Sequence, residues 1–414
     1  MFQNNKQLIL KVTRGCNLRC SYCYVFDKEK YDDEVISDET FNNIIECVFR
    51  ENNYYDVPKD MEDVIFNAGL TLDEKKKRIG ELTPFSIVFH GGEPLRIGKE
   101  KFSKFCKIAS QKAREYGKFI QLAVQTNGTL IDPEWAEIFR RYEVSVGISW
   151  DGYGESSDNR SNSSSVYNNI ALLMTHGIIP GIITILNKKN YKYITQTLKM
   201  LDQVGCRSIK INRGVDVVNE DVSKSDYELN ADELLETSIA TCNYMFLHKD
   251  GIMDDVMYNK MLKFLDNLAY GLKIYRKNIC YTRYCGAGNA ILEVEPDGTV
   301  LMCGRNSLHH SAVAFNIFNK DICELKAIQH MWDIQKKKVD SVNDLKCNLC
   351  NAQPICDYGC LSFSYQKFDG KAKIDPITCQ YNKKLYAWFS QHFDEIIKYC
   401  DKGKKSEPYL GYFL

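Results

Sequence analysis

The 414-residue sequence lacks several features that would narrow its function at once. Its formal net charge is zero, so nothing predicts nucleic acid as a partner. No apolar run approaches the roughly 18 residues typical of a membrane span. Residues 1–6 lack the apolar core of a signal peptide. We therefore expect a soluble, cytoplasmic protein with two domains or one large domain and an extension.

Cysteine, in contrast, is abundant, with 17 residues that are unevenly distributed. Three lie within residues 16–23, and a second group of eight lies within residues 280–379, with the isolated Cys323 counted separately. Disulfide frameworks belong to short secreted chains, so we expect another role for these two groups. The isolated cysteines are predicted to be mostly small buried hydrophobic side chains: Cys47, Cys106, Cys206, Cys242, Cys323 and Cys400.

The first group, Cys16-x3-Cys20-x2-Cys23, follows a predicted strand over residues 8–12. Structural zinc sites and ordinary four-iron clusters each need four protein ligands. Three thiolates would instead leave one iron of a four-iron cluster with an open coordination position, where a substrate can bind. Three unrelated thiols, or part of a zinc site, remain alternatives.

With Tyr22 just before its third cysteine, this loop resembles the signature of radical S-adenosylmethionine (SAM) enzymes. In that family the open iron binds the amino and carboxylate groups of SAM. Reductive cleavage of SAM then releases a 5′-deoxyadenosyl radical, which takes a hydrogen atom from the substrate. The resemblance implies that Cys16, Cys20 and Cys23 hold the catalytic cluster, and that a flavodoxin- or ferredoxin-type protein reduces it.

Strand and helix patterns alternate over the first two-thirds of the chain. The strand runs are apolar on both faces, which predicts a parallel sheet wrapped by helices. About six strands can be counted, fewer than a closed eightfold barrel requires. The partial (β/α)6 barrel of the resembling family fits this count. We predict the barrel over residues 1–227, with an insertion at 54–83 and a helical bridge at 228–275.

The sequence Gly91-Gly92-Glu93-Pro94 follows a predicted strand and matches the GGEP motif of the family, which contacts the SAM amino group. Softer matches follow later strands. For residues 126–128 the alternative is an ordinary turn, for residue 160 a surface salt bridge, and for residue 186 a core leucine. The resemblance assigns the ribose side of SAM to Asn127, Ser149 and Asp151, the SAM carboxylate to Arg160, and adenine packing to Leu186.

The second cysteine group flanks a predicted hairpin over residues 291–301 and then becomes dense from Cys347 to Cys360. This spacing resembles the SPASM extension of radical SAM enzymes that modify peptides and proteins; two zinc ribbons are the alternative. We predict this domain over residues 276–383, with a helical tail at 384–414. The resemblance implies two auxiliary four-iron clusters, held by Cys280, Cys285, Cys303 and Cys360, and by Cys347, Cys350, Cys356 and Cys379.

Two reactions compete. One is anaerobic sulfatase maturation, which oxidises Cys or Ser to formylglycine; the other is modification, usually crosslinking, of a ribosomally made precursor peptide. Sulfatase-maturating relatives carry an aspartate base directly after the cysteine that closes the hairpin, whereas Gly304 follows Cys303 here. Peptide maturation is therefore favoured, with Asp357 as a candidate base. A non-catalytic electron carrier would explain the second cysteine group but not the first.

Precursor peptides carry a leader, and many maturases bind it with an N-terminal module. Fifteen residues precede Cys16, so we expect no such module at this end. The leader would then bind at residues 54–83, at the tail 384–414, or on a separate protein.

Overall fold

Two compact units make up the chain, as described by a computed structural model. The first unit comprises Met1–Arg19, Cys23–Val146 and Gly286–Met331, and the second comprises Cys20–Tyr22, Gly147–Cys285 and Trp332–Leu414. The domain boundaries given above stay predictions. The structure describes residues 6–23, 33–51, 84–153, 160, 163–216, 222–270, 286–288, 290–306, 313–318, 340, 343, 345–356, 358–368 and 373–400.

The described strands form a mostly parallel, open α/β sheet, which confirms the predicted fold class. The strands are β1 Gln7–Thr13, β2 Phe85–Gly91, β3 Ile120–Thr126, β4 Ser145–Ser149, β5 Gly181–Leu186, β6 Ser208–Arg213, β7 Met253–Asp254, β8 Ile291–Val294, β9 Thr299–Leu301 and β10 Val313–Asn316. Within the first unit the strand order is β10-β9-β8-β1-β2-β3. The run β4-β5-β6-β7 lies in the second unit, except that Ser145 and Val146 of β4 belong to the first.

Helices follow the strands from β1 to β6, as the alternating pattern predicts. Asp132 begins one of them: its side chain accepts a hydrogen bond from Trp135 N, and Pro133 takes the first helical position. Among the described residues, no helix is long and apolar enough to cross a membrane. The α-helices are α1 Asp38–Glu51, α2 Lys99–Glu115, α3 Pro133–Arg141, α4 Ser163–Thr175, α5 Ile194–Gln203, α6 Ala231–Leu247, α7 Asp255–Tyr270, α8 Leu361–Lys367, α9 Pro376–Gln391 and α10 Phe393–Cys400.

Aromatic side chains hold α1 and α2 on the sheet of the first unit. The rings of Phe41 and Phe105 stack with their centroids 4.0 Å apart. Phe89 of β2 packs between the two helices, 6.1 Å from the Phe41 centroid and 4.8 Å from that of Phe102. Each of these rings is fully buried. The carboxyl end of β2 is thereby fixed by packing before any ligand binds.

The predicted hairpin over residues 291–301 forms β8 and β9, but its position was not predicted. Strand β8 pairs in parallel with β1, with Leu10 opposite Val294. Strands β1 and β8 are also less apolar than predicted on one face, because Lys11 is fully buried there beside Glu293 and Glu295. Such a cation is tolerated because the two carboxylates outweigh the effect of burial and raise the pKa of Lys11.

Candidate active site

The three-cysteine loop leaves β1 at its carboxyl end, where sites gather in parallel α/β folds. Its start is fixed by backbone bonding, since Arg14 N donates to Glu34 O at 3.0 Å. The guanidinium of Arg19 donates to the carbonyl oxygens of Cys16 and Leu18 at 2.7 and 2.8 Å. The three thiols are half-buried and in no disulfide. Their chemistry therefore fits ligation of an iron–sulfur cluster.

Cys16 has the best defined surroundings of the three. Burial raises the pKa of its thiol, and the nearby Glu93 carboxylate and Cys23 sulfur raise it further. Two donors act in the opposite direction: Leu18 N, 3.4 Å from the sulfur, and Asn127 Nδ2, 3.9 Å away. Since a cluster ligand must be a thiolate, these donors favour the form that ligation requires.

The glycines of the Gly91-Gly92-Glu93-Pro94 motif are required by contact with this loop. Gly92 N donates to Thr13 O at 3.0 Å, and Glu93 N donates to Gly15 O at 2.8 Å. A Cβ atom on Gly91 would lie 2.0 Å from Thr13 O, and one on Gly92 would lie 2.4 Å from Gly15 O. The motif and the cysteine loop therefore pack backbone against backbone, which excludes any side chain at either position.

Glu93 is fully buried and joins the ends of β2 and β3. Its carboxylate accepts hydrogen bonds from Leu95 N at 3.0 Å, Thr126 Oγ1 at 2.7 Å and Asn127 N at 2.7 Å. The structure thus gives Glu93 a positioning role, while its predicted contact with SAM stays a prediction. Sequence reasoning noted Thr126 only as part of the stretch 126–128 at a strand end, and its bond to Glu93 was not predicted.

Asn127 in turn connects β3 to the cysteine loop. Its Nδ2 donates to Asn17 Oδ1 at 2.9 Å, and its Oδ1 accepts from Thr129 Oγ1 at 2.6 Å. Asn17 Nδ2 closes the ring by donating to Thr129 Oγ1 at 2.8 Å. The predicted SAM-binding residue Asn127 is therefore held rigidly within the first unit, with its amide near Cys16.

A second set of predicted residues gathers in the second unit around Asp151. Tyr22 OH donates to Asp151 Oδ2, and Arg160 Nε lies 3.1 Å from the same oxygen. Arg160 also lies over the Tyr22 ring, 5.6 Å from its centroid. Burial alone would lower the pKa of Arg160, but the Asp151 carboxylate raises it well above its ordinary value. Because the Arg160 side chain is 11% exposed, this ion pair is largely buried.

The remaining predicted SAM contacts end two parallel strands of the second unit. Ser149 is the last residue of β4 and is half-buried, and Leu186 ends β5 with 5% exposure. Asp151 is fixed to β5, because its Oδ1 accepts from Ile185 N at 2.9 Å. These residues share the carboxyl edge of β4 and β5, which is where ligand sites form in such sheets.

Four cysteines of the second group come together in the second unit. Cys347, Cys356 and Cys379 pack around the buried residues Tyr358 and Ile374. Burial raises the pKa of Cys347, and its neighbours Cys379 and Cys350 raise it further. These four are the ligand set that the SPASM resemblance assigns to the second auxiliary cluster.

An ion-pair network fixes the helix that carries Cys379. Asp375 caps α9 by accepting from Thr378 N at 3.2 Å, and it pairs with Arg213 at the end of β6. Arg213 also pairs with the fully buried Glu228, whose other oxygen lies 2.7 Å from Lys367 Nζ in α8. Tertiary contacts, not local sequence, therefore position Cys379.

The other predicted ligands cannot be assembled from the described residues. Cys303 follows β9 in the first unit, and Cys360 lies at the start of α8 in the second. Cys280, Cys285 and Asp357 lie outside the described residues. Within the described ranges, no three Cys, His, Asp or Glu side chains are placed to hold a single metal ion. A four-iron cluster differs in this respect, because it binds each thiolate through a different iron.

Comparison with known proteins defines the class. The profile of the Radical SAM superfamily matches residues 10–201. The cysteine-type anaerobic sulfatase-maturating enzyme of Clostridium novyi is 26% identical over 392 residues, covering 92% of this chain and 93% of that protein. The structure of native anSMEcpe with bound AdoMet and Cp18Cys peptide has a TM-score of 0.73 at 20% identity, covering 96% and 99%. Streptococcus suis SuiB bound to precursor peptide SuiA has a TM-score of 0.56 at 15% identity, covering 91% and 76%.

The chain is therefore an enzyme that contains a radical SAM domain over residues 10–201. That range includes the three-cysteine loop, the Gly91-Gly92-Glu93-Pro94 motif and Arg160. Along most of its length the chain is also homologous to anaerobic sulfatase-maturating enzymes. The radical SAM resemblance is thus confirmed, whereas the SPASM domain and the individual site residues stay predictions.

Proposed function

We propose that this enzyme is a radical SAM/SPASM maturase that oxidatively crosslinks side chains of a ribosomally made precursor peptide in the cytoplasm. Similarity in fold to two proteins solved with bound peptides supports a peptide substrate. Three four-iron clusters and a flavodoxin- or ferredoxin-type reductant complete the proposed system. Cys347, Cys356 and Cys379, which pack around Tyr358 and Ile374, together with Cys350 beside Cys347, support the presence of an auxiliary cluster.

In this proposal Cys16, Cys20 and Cys23 hold the first cluster. When bound, that cluster and SAM supply a 5′-deoxyadenosyl radical that takes a hydrogen atom from the peptide. The chain contributes preorganised geometry. Within the first unit, Glu93 and Asn127 hold the loop ends around Cys16. Within the second unit, the Asp151–Arg160 pair presents a cation suited to a carboxylate and an anion suited to hydroxyl groups.

Position 304 is the observation that favours crosslinking over formylglycine formation. The residue after Cys303 is glycine, where the resembling sulfatase-maturating enzymes carry an aspartate base. The space that a side chain would need is taken, since a Cβ on Gly304 would lie 2.9 Å from Glu293 Oε2 and 3.2 Å from Ile9 Cδ1. The position therefore supplies no base of its own.

Sulfatase maturation is the second candidate. It is favoured by the similarity to the Clostridium novyi enzyme, which extends over 92% of this chain. Glu293 is the described carboxylate nearest to Gly304, but it is fully buried and paired with Lys11. Formylglycine formation would therefore require a base elsewhere, for example Asp357.

Co-expression separates the two candidates. The enzyme is expressed anaerobically with each small peptide encoded beside its gene, and separately incubated with the Cp18Cys peptide. We expect a neighbouring peptide to become about two hydrogens lighter per modification, with the new bond located by tandem mass spectrometry. The Cys16→Ala variant is the matched control and should leave every peptide unchanged.

Formylglycine on the Cp18Cys peptide, with no mass change in any neighbouring peptide, would overturn the proposal in favour of sulfatase maturation. Mass loss in a neighbouring peptide that persists in the Cys16→Ala variant would show that the three-cysteine loop does not drive the reaction.

A further inference from the structure

Four charged side chains form a continuous row in the first unit, which we call the charge ladder: Lys11, Arg14, Glu293 and Glu295. Lys11 Nζ lies 3.0 Å from Glu293 Oε1 and 2.5 Å from Glu295 Oε1. Arg14 Nε lies 3.1 Å from Glu295 Oε2. The ladder therefore connects Lys11 of β1 and the following Arg14 to Glu293 of β8 and the following Glu295.

The ladder is too deeply buried for stability to explain it. The side chains of Lys11, Glu293 and Glu295 are 2%, 0% and 9% exposed. Removing such charges from water costs about as much as their pairing returns, and apolar replacements are commonly neutral or stabilising. Where buried ion pairs have an identified benefit, it is the choice of one arrangement among several.

Strand register is the arrangement that this ladder selects. Strands β1 and β8 pair in parallel over a short stretch, with Ile9 opposite Glu293. A shift by one residue would turn Glu293 to the opposite face, among the buried side chains of Leu8 and Leu10. A shift by two residues would keep the faces but move Glu295 away from Arg14. Arg14 Nη2 also lies 3.1 Å from Asp297 in the hairpin turn, so that contact would be lost as well.

The selected register has a consequence for two cysteines. Arg14 stands two residues before Cys16, and β8 leads through its turn and β9 to Cys303. Because both segments start from paired strands, the register sets where Cys303 stands relative to Cys16. Cys303 is a predicted ligand of an auxiliary cluster, and Cys16 is a predicted ligand of the SAM-binding one.

We propose that the charge ladder is a positioning device, which holds the β8–β9 hairpin in register against the three-cysteine loop. Through this register the ladder keeps peptide modification coupled to SAM cleavage. This inference rests on the proposed function, in which Cys303 serves the second half of the reaction. The ladder residues are positioning residues, because Lys11, Glu293 and Glu295 are buried and act through the segments that they hold.

The test uses two ladder variants of the reconstituted full-length enzyme under anaerobic conditions. Glu295→Gln removes the charge that Lys11 and Arg14 share. The double variant Lys11→Met with Glu293→Met replaces a buried pair by apolar groups, which should preserve folding. The matched control is Lys99→Gln, because Lys99 is 26% exposed and also pairs with two acids, Asp132 at 2.5 Å and Glu134 at 2.8 Å.

Two quantities are measured in each variant. The first is amide hydrogen exchange of residues 291–303, which we expect to be about tenfold faster or more in both ladder variants. The second is the amount of modified peptide per 5′-deoxyadenosine released. We expect this ratio to fall about tenfold, because small misplacements carry large kinetic costs, while 5′-deoxyadenosine release stays within about threefold. The Lys99→Gln control should match wild type in both quantities.

A merely structural role would lower both products together and leave their ratio unchanged. That result, or wild-type protection of the hairpin in both ladder variants, overturns the inference. If the wild-type enzyme modifies no peptide, the proposed function is what fails. Amide hydrogen exchange then still tests the positioning role of the ladder, because a hairpin that stays protected in Glu295→Gln contradicts that role.

Discussion

The two cysteine-rich regions are positioned by different means. The three-cysteine loop is held by its own neighbourhood: backbone bonds to Glu34 and Glu93, the glycines that press against it, and the Asn127 amide. Cys347, Cys356 and Cys379, which pack around Tyr358 and Ile374, come from two separate segments. The helix that carries Cys379 depends on the Asp375–Arg213–Glu228–Lys367 network. One region is a compact motif on a single loop held mainly by backbone packing, and the other joins two separate segments with the help of buried ion pairs.

This difference teaches where each region is vulnerable. A compact motif tolerates little change inside it, since a Cβ added at Gly15, Gly91 or Gly92 would lie only 2.2, 2.0 or 2.4 Å from another atom. A region assembled by buried ion pairs fails when a distant partner is removed, because the remaining charge is left uncompensated. Three predictions follow this contrast from the largest expected effect to the smallest.

Removing the ligands of each region should separate their roles. The triple variant Cys16→Ala, Cys20→Ala, Cys23→Ala should lose about four of about twelve irons per chain and all SAM cleavage. The pair Cys347→Ala, Cys350→Ala should also lose about four irons but keep SAM cleavage. Iron is measured by colorimetry and 5′-deoxyadenosine by chromatography. Cys47→Ala, which removes an isolated cysteine, should keep all the iron; equal iron loss in all three variants would contradict the assignment.

Crowding inside the compact motif should appear in a matched pair of glycine variants. In Gly92→Ala the new Cβ would lie 2.4 Å from Gly15 O and 2.5 Å from Arg14 O, so the loop must move. We expect SAM cleavage to fall about 100-fold. Gly98→Ala is the control: its φ of +84° makes alanine cost about 1–3 kcal/mol of stability, but no atom lies within 4 Å of the added Cβ. Equal SAM cleavage in the two variants would contradict the loop-on-loop packing.

The tertiary network should respond to removal of one buried partner. Lys367→Met leaves the fully buried Glu228 with Arg213 as its remaining cation among the described ion pairs. We expect the free energy of unfolding in urea to fall by about 3 kcal/mol. Lys384→Met is the surface control, because the Lys384–Asp232 pair is 42% and 75% exposed and should contribute less than about 1 kcal/mol. A loss as small in Lys367→Met as in the control would show that the network does not hold this region.

Local signals in the sequence predicted the compact region well. The strand before Cys16, the glycines after β2, and the Asp132-Pro133 helix start each carry their meaning within a few residues. The alternation of strands and helices likewise predicted a parallel sheet, because each βα unit repeats one pattern. The structure confirms the sheet and that helix start.

Long-range contacts could not be predicted in this way. The pairing of β8 with β1 joins residues about 280 positions apart, and no local pattern marks a parallel partner. The same holds for the bond from Lys11 to Glu295 and for the pair between Arg213 and Asp375. In both cases the sequence shows ordinary charged residues, and burial alone makes them structural.

The most direct test of the account is the fate of SAM in the reconstituted, reduced wild-type protein. We predict iron in the purified protein and release of 5′-deoxyadenosine and methionine. The Cys20→Ala variant should release neither of these two products. Protein that holds zinc in place of iron, or that leaves SAM intact under strong reductant, would contradict the assignment of the three-cysteine loop.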